Sequence, residues 1–140
     1  MSFSEKMIDI LNYGAINLAM AIGYRTGLFD VMDTFDSPQN IGDISDQAGL
    51  NPRYVQEWLG IMTTAEIVEL SQKEDENQYF LPKHCGDLIT RRAGNSNLGV
   101  YTQEIPLLTT CAMEAVIDGF SSGDGVTYDH YPKFQAFMSQ

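Results

Sequence analysis

The run Gly119-Phe120-Ser121-Ser122-Gly123 has the G-x-S-x-G spacing in which a serine becomes a nucleophile at a sharp turn. That chemistry needs a strand before the serine, a helix after it and a large α/β sheet beneath both. The residues ahead of Gly119 carry a helical pattern, and 140 residues are too few for such a sheet. The same glycines form neither G-x-G-x-x-G after a strand nor a phosphate loop ending in Gly-Lys-Ser/Thr. Two histidines are present, His84 and His130. His84 adjoins Cys85, so the two side chains diverge on a helix or a strand, unlike the paired ligands of a zinc site. The carboxylates read as a solvated surface, with no pair set out for acid–base work. The expectation is a chain with no catalytic residue, no cofactor-binding residue and no metal site of its own.

Aromatic chemistry is the other possibility. Tyr128, His130, Tyr131, Phe134 and Phe137 crowd together behind Ser121-Ser122-Gly123-Asp124-Gly125. Aromatics behind a glycine hinge suit a lid over a pocket. They suit equally a terminal helix held down by its own rings.

The elements that would position these residues centre on residues 41–62, IGDISDQAGLNPRYVQEWLGIM. Ile41, Ile44 and Ala48 share one helical face, with Asn40 and Asp43 as capping residues near its start. Gly49 stands where a left-handed cap ends a helix. Asn51-Pro52 then supplies an N-cap and a first helical residue whose missing N–H costs nothing. Tyr54, Val55, Trp58, Leu59, Ile61 and Met62 give a second apolar face. Residues 67–70 and 78–81 read as two short strands joined by the polar run 71–77. Helix, turn, helix and hairpin in this order predict a winged helix.

A helix also spans about residues 4–23, with Ser2 or Ser4 as its cap. Met7, Leu11, Ala15, Leu18 and Ile22 form one stripe, while Ile8, Ile16, Ala19 and Met20 fall partly off it. A helix apolar over more than one face has more than one thing to pack against. One face meets the winged-helix core, and the rest suggests a partner subunit or a second domain. A central core helix in a monomer is the alternative. Behind the hairpin, residues 95–103 and 106–120 read as two helical pieces, with Pro106 breaking or restarting the helix. The fold class is therefore mostly α with a small β-hairpin: a winged helix-turn-helix domain with additional N- and C-terminal helices.

Charge argues against the usual use of that fold. Eight Lys and Arg stand against 19 Asp and Glu, a formal net charge of -11. Nonspecific DNA affinity comes mainly from cations neutralising phosphates. The second helix of the motif offers only Arg53, cancelled by Glu57. The wing sets Lys73 against Glu74, Asp75 and Glu76. No nucleic-acid partner is expected, and a packing module is the better reading. Two cysteines make no disulfide framework, no secretory leader is visible and no run is long enough to span a membrane. The expected setting is a reducing cytoplasm with no membrane partner.

Several segments together resemble a known family. They are GYRTGLFDVM (residues 23–32), AGLNPRYVQEWLGIM (48–62), YFLPKHCGDLIT (79–90), IPLL (105–108) and GDGVTYDHYPKFQAFM (123–138). In this order they resemble the N-terminal winged-helix domain of class I S-adenosylmethionine-dependent methyltransferases, a group often described as winged-helix transcriptional regulators. The resemblance covers nearly the whole chain. It implies a domain that does not read DNA, packs on a following Rossmann-like methyltransferase domain, dimerises and helps close the active site. The cofactor loop of such enzymes lies in that following domain, and this sequence stops at Gln140 before any such loop. The resemblance thus implies an S-adenosylmethionine-dependent parent enzyme, with no cofactor bound by this chain alone. Residues 1–120 would be the winged-helix and dimerisation domain, and residues 121–140 a lid-like or connecting segment leading to the methyltransferase domain. A homodimer would form through the N-terminal helix. The residues expected to face the substrate and cofactor are Tyr101, Gln103, Tyr128, His130, Tyr131 and Phe134, because aromatic faces suit an apolar substrate or a sulfonium. The alternative is that these rings pack the seam between domains. The acceptor of the methyl group has no signature in the sequence.

Overall fold

A computed structural model describes residues 1–127. Tyr128, His130, Tyr131 and Phe134, and with them most of the segment read as a lid, lie outside the described residues.

The chain opens with α1 (Phe3–Arg25), whose first turn is closed by Ser2 Oγ accepting the Glu5 N–H at 3.2 Å. Acidic Glu5 in the first turn and basic Arg25 in the last suit the helix dipole. Gly27, at φ +81°, turns the chain into α2 (Leu28–Asp33), which buries Leu28, Phe29 and Met32. The helix-turn-helix follows as α3 (Ile41–Ala48) and α4 (Pro52–Thr64). Its caps are those the sequence predicts. Asn40 Oδ1 accepts the Asp43 N–H at 2.8 Å, and Gly49 ends α3 at φ +67°. Asn51 Oδ1 accepts from the N–H groups of Arg53 and Tyr54 at 2.9 and 3.3 Å.

The wing is an antiparallel hairpin of β1 (Glu69–Lys73) and β2 (Glu76–Phe80), paired from Glu69↔Phe80 to Lys73↔Glu76. It begins two residues later than the predicted first strand, and most of the predicted polar loop is strand. The turn is only Glu74-Asp75, both at positive φ (54° and 63°). Two left-handed residues are what a tight hairpin turn with the right twist requires. Gln39 adds a single bridge to the hairpin, exchanging both backbone hydrogen bonds with Tyr79.

Beyond the wing come α5 (Lys83–Ile89), two 3-10 segments (Arg91–Ser96 and Gly99–Gln103), α6 (Glu104–Cys111) and α7 (Met113–Ser122). The helix restarts at Glu104, two residues before Pro106, and a further break that the sequence does not mark lies at Ala112 (φ -136°). Pro106 sits in the first turn of α6, where the missing N–H has no partner to lose. The fold is a winged helix, mostly helical, with added helices at both ends. One core joins α1, α2, α3, α4 and the wing, with Phe29, Met32, Ile44, Leu59, Met62 and Leu81 fully buried in it. Among the described residues no helix is long and apolar enough to cross a membrane.

Candidate functional site

Trp58 decides which face of α4 is available. Its ring is buried against Phe29, edge to face at 5.1 Å between centroids, and its Nε1–H donates to the Ala19 carbonyl at 2.9 Å. Gly23 makes this approach possible: a Cβ there would lie 2.3 Å from the indole. Trp58 is therefore scaffold. The outer face of α4 is left with Arg53, Tyr54, Glu57 and Ile61, all exposed. In the wing, Lys73 is the direct partner of Glu76, which also accepts from Asn40 Nδ2 at 2.9 Å.

The last third of α1 is bound into the domain. Gln103 Nε2 donates to Ala21 O at 2.9 Å, and Asn17 Nδ2 donates to Thr102 O at 3.1 Å. These long-range bonds fasten the second 3-10 segment along α1. The first two thirds of α1 is different: residues 3–15 include no buried position. Phe3, Ile8, Ile10, Leu11 and Tyr13 are all more than half exposed there, as is Leu18 one turn further on. The apolar surface continues past Leu18, which shares a shallow groove with Ile105 of α6. Beyond it stand Met113, Val116, Ile117 and Phe120 of α7, again exposed. A run of large apolar side chains this long is the signature of a covered surface rather than a wet one.

Of the predicted site residues, Tyr101 and Gln103 lie within the described chain. They share the second 3-10 segment but point apart. Tyr101 is 51% exposed, whereas Gln103 is 3% exposed and spends its amide on α1. Gln103 thus holds the segment that presents Tyr101, and does not itself reach solvent.

The remaining chemistry is structural. Asp33, buried beneath α5, takes a two-pronged hydrogen bond from Arg92 and faces Lys83. The Arg92 hydrogen bonds hold the Asp33 carboxyl below the usual carboxylate range against the opposing effect of burial. The same bonds, with Asp87, push Arg92 up. Gly86 is required here, since a Cβ would fall 2.1 Å from Asp33 Oδ1. A second clamp joins Arg91 to Asp30, with the guanidinium 4.1 Å above the Tyr24 ring. These pairs, 59 and 61 residues apart in the chain, were not legible in the sequence. Burial, then Glu69, pushes the Cys85 thiol up, away from nucleophile activation. Gly119 to Ser122 form the end of α7, and Gly123 caps it at φ +78°. The strand and turn of a nucleophile elbow are replaced there by helix. Among the described residues no cluster of three His, Cys, Asp or Glu is placed to hold a metal.

The fold is similar to that of part of a solved structure. It matches the crystal structure of human N-acetylserotonin methyltransferase in complex with SAM, with a TM-score of 0.73 and 10% identity. The match covers 90% of this chain and 36% of that one, so this chain spans about a third of that protein's length. No curated protein sequence matches the chain. A family model, that of the Rv2258c-like winged HTH domain, matches residues 14–91, from the middle of α1 through the wing to the end of α5. That stretch is more than half of the chain and contains every element of the helix-turn-helix and hairpin, so the protein belongs to the Rv2258c-like winged HTH domain family.

Proposed function

We propose that this chain is the accessory and dimerisation domain of an S-adenosylmethionine-dependent methyltransferase acting on a small molecule. The observation that carries this reading is the exposed apolar face of α1, running on through Ile105 to α7. An arm of 13 residues is near the limit at which a helix persists in water, so its stripe needs a partner along it. A second copy of the chain is that partner, with residues 1–120 as the dimerising unit. The fold shared with a methyltransferase supports the enzymatic setting, and residues 121–140 lead toward a Rossmann-like methyltransferase domain. There Tyr101, together with Tyr128, His130, Tyr131 and Phe134, helps cover the substrate and cofactor, and Gln103 positions Tyr101. The domain works in the cytoplasm, binds no nucleic acid and performs no catalysis alone.

Sedimentation of the purified chain tests the dimer: it is expected at twice the monomer mass, and a strict monomer would overturn that part. Calorimetry with S-adenosylmethionine tests the division of labour. No heat of binding is expected from this chain alone, and stoichiometric binding would place a cofactor site within it. A gel shift at low salt is expected to show no retarded DNA, in keeping with the acidic wing and neutral α4. Tight, sequence-selective retardation would favour a regulator instead.

A further inference from the structure

A recess of about 610 Å³ lies between the last turns of α1 and the first turns of α4, away from the exposed arm of α1. Its volume falls in the range of small-molecule sites, roughly 300–1,000 Å³. Leu28, Val55 and Trp58 line it as buried residues, and Ile22, Tyr54 and Ile61 stand exposed around it. We propose that this recess binds one uncharged, mostly apolar aromatic molecule carrying a hydrogen-bond acceptor.

Three observations select that chemistry. First, among the described residues none that lines it is charged at neutral pH, although the chain carries a net charge of -11. An anion would be repelled by the surroundings, and any ion would lose water without gaining a partner. Second, the lining includes two aromatic rings. Trp58 is held edge-on by Phe29 and its hydrogen bond to Ala19, and Tyr54 is 78% exposed. Rings in such fixed and open positions favour stacked or edge contacts with another ring. Third, the polar groups are few and mostly committed. Thr26 donates to Ile22 O at 2.8 Å. Asn51 uses its Oδ1 to cap α4, which leaves its carboxamide N–H groups as donors at one end of the recess. One acceptor on the ligand satisfies that end. On α1 the recess uses Ala19, Ile22 and Thr26, towards the opposite end from the exposed arm; on α4, Ile61 also borders Asn12 and Ala15 of the arm.

Trp58 is the only tryptophan and lines the recess, so it reports directly on occupancy. The probe is N-phenyl-1-naphthylamine, which is neutral and aromatic. Titration into the intact chain is expected to give saturable binding at one site per chain, with Trp58 emission falling as probe emission rises. The sulfonated analogue, 8-anilinonaphthalene-1-sulfonate, is expected to bind at least about tenfold more weakly. Ile61→Lys puts a charge at the edge of the recess and should weaken the neutral probe by about tenfold or more. Leu11→Asp, on the far part of α1, should leave probe binding unchanged. Tyr54→Ala, a second exposed site, gives an independent weakening should the lysine disturb α4; far-UV circular dichroism checks the fold of each variant. The proposal is overturned by absent binding, by equal affinity for the sulfonate, or by probe emission without loss of Trp58 emission. It is also overturned by loss of binding in Leu11→Asp but not in Ile61→Lys, which would put the probe on the arm. Dissociation of the dimer by Tyr54→Ala, which borders the recess and not the arm, would make the recess a contact between chains and overturn it equally.

Discussion

Leu11→Asp is the sharpest test of the arm of α1. Leu11 is 65% exposed, so its side chain contributes little to the fold of one chain. The substitution should cost the protomer about 0.5 kcal/mol, the size of a surface change plus a helix-propensity difference. In a dimer the outcome differs. Fully burying a leucine is worth roughly 1.5–3 kcal/mol, and about two thirds of that surface remains to be buried, giving about 1–2 kcal/mol per copy. A twofold interface contains the residue twice, which makes about 2–4 kcal/mol. That is roughly 30- to 1,000-fold in dissociation constant. The desolvated carboxylates push the value further in the same direction. Sedimentation velocity across a dilution series measures the constant, and thermal unfolding at high dilution measures the protomer. The reasoning predicts a large rise in the dissociation constant with an almost unchanged protomer. An unchanged dissociation constant in the variant would refute the placement of the interface. A large loss of protomer stability would refute the claim that Leu11 is exposed there.

Gly23→Ala should destabilise the fold despite alanine's better helix propensity. Overpacking against the pinned Trp58 ring costs about 1–3 kcal/mol, against a gain of about 1 kcal/mol, so urea unfolding should register a net loss. Trp58→Phe removes the indole hydrogen bond to Ala19, whose carbonyl keeps its place in the α1 ladder; the lost bond should cost about 0.5–1.5 kcal/mol, read by the same unfolding curves. The folded-state pKa of Asp33 lies below its unfolded value of 3.8, so its pairing with Arg92 stabilises the protein above that value. That contribution is lost as the pH falls through the depressed folded pKa. Melting temperatures followed from neutral to acid pH should therefore show a smaller acid-side loss in Arg92→Ala than in the parent. An equal loss would show that other carboxylates control the acid transition.

What the sequence discloses depends on how local the cause is. The helix-turn-helix boundaries are legible because Asn40, Gly49 and Asn51-Pro52 act on backbone groups within three residues of themselves. The hairpin is misread by about two residues for the opposite reason. Val68 looks like strand because it is apolar, but it fills the core just ahead of the strand, while β1 itself is mostly polar and exposed throughout. Glu74 and Asp75 make a left-handed turn without glycine or asparagine, so no turn signal marks it. The expected helix over residues 95–103 is broken into 3-10 segments after Gly94, whose φ/ψ of 58° and -125° is closed to other residues. At the candidate site, neighbouring positions mislead as well: Tyr101 and Gln103 sit two apart and face opposite ways. The Asp33–Arg92 and Asp30–Arg91 clamps depend on how α2 meets α5, which no local pattern encodes. The apolar surplus of α1 was legible because amphipathicity is a property of the helix alone. The recess beside it was not, because it exists only once α1 and α4 have packed.

On the proposed reading, the packing of α1 also gives a physical account of how a winged helix could be turned away from DNA. In a helix-turn-helix reader, the first turns of the second helix carry the side chains that reach base edges. Here those turns present Arg53, Tyr54 and Glu57, and Tyr54 borders an apolar recess shared with α1. A helix laid along this end of α4 therefore converts the reading surface into one wall of a groove. The conversion is fixed by packing: Trp58 is tied to Ala19, and Gly23 leaves room for the indole. Charge then follows from the change of use. A helix end that contacts apolar groups rather than phosphates has no need of more cations than Arg53, which Glu57 offsets. A wing without phosphate contacts can carry Glu74, Asp75 and Glu76 without penalty. On this view the acidic surface is a consequence of how α1 packs, and the same packing event creates both the exposed arm and the recess.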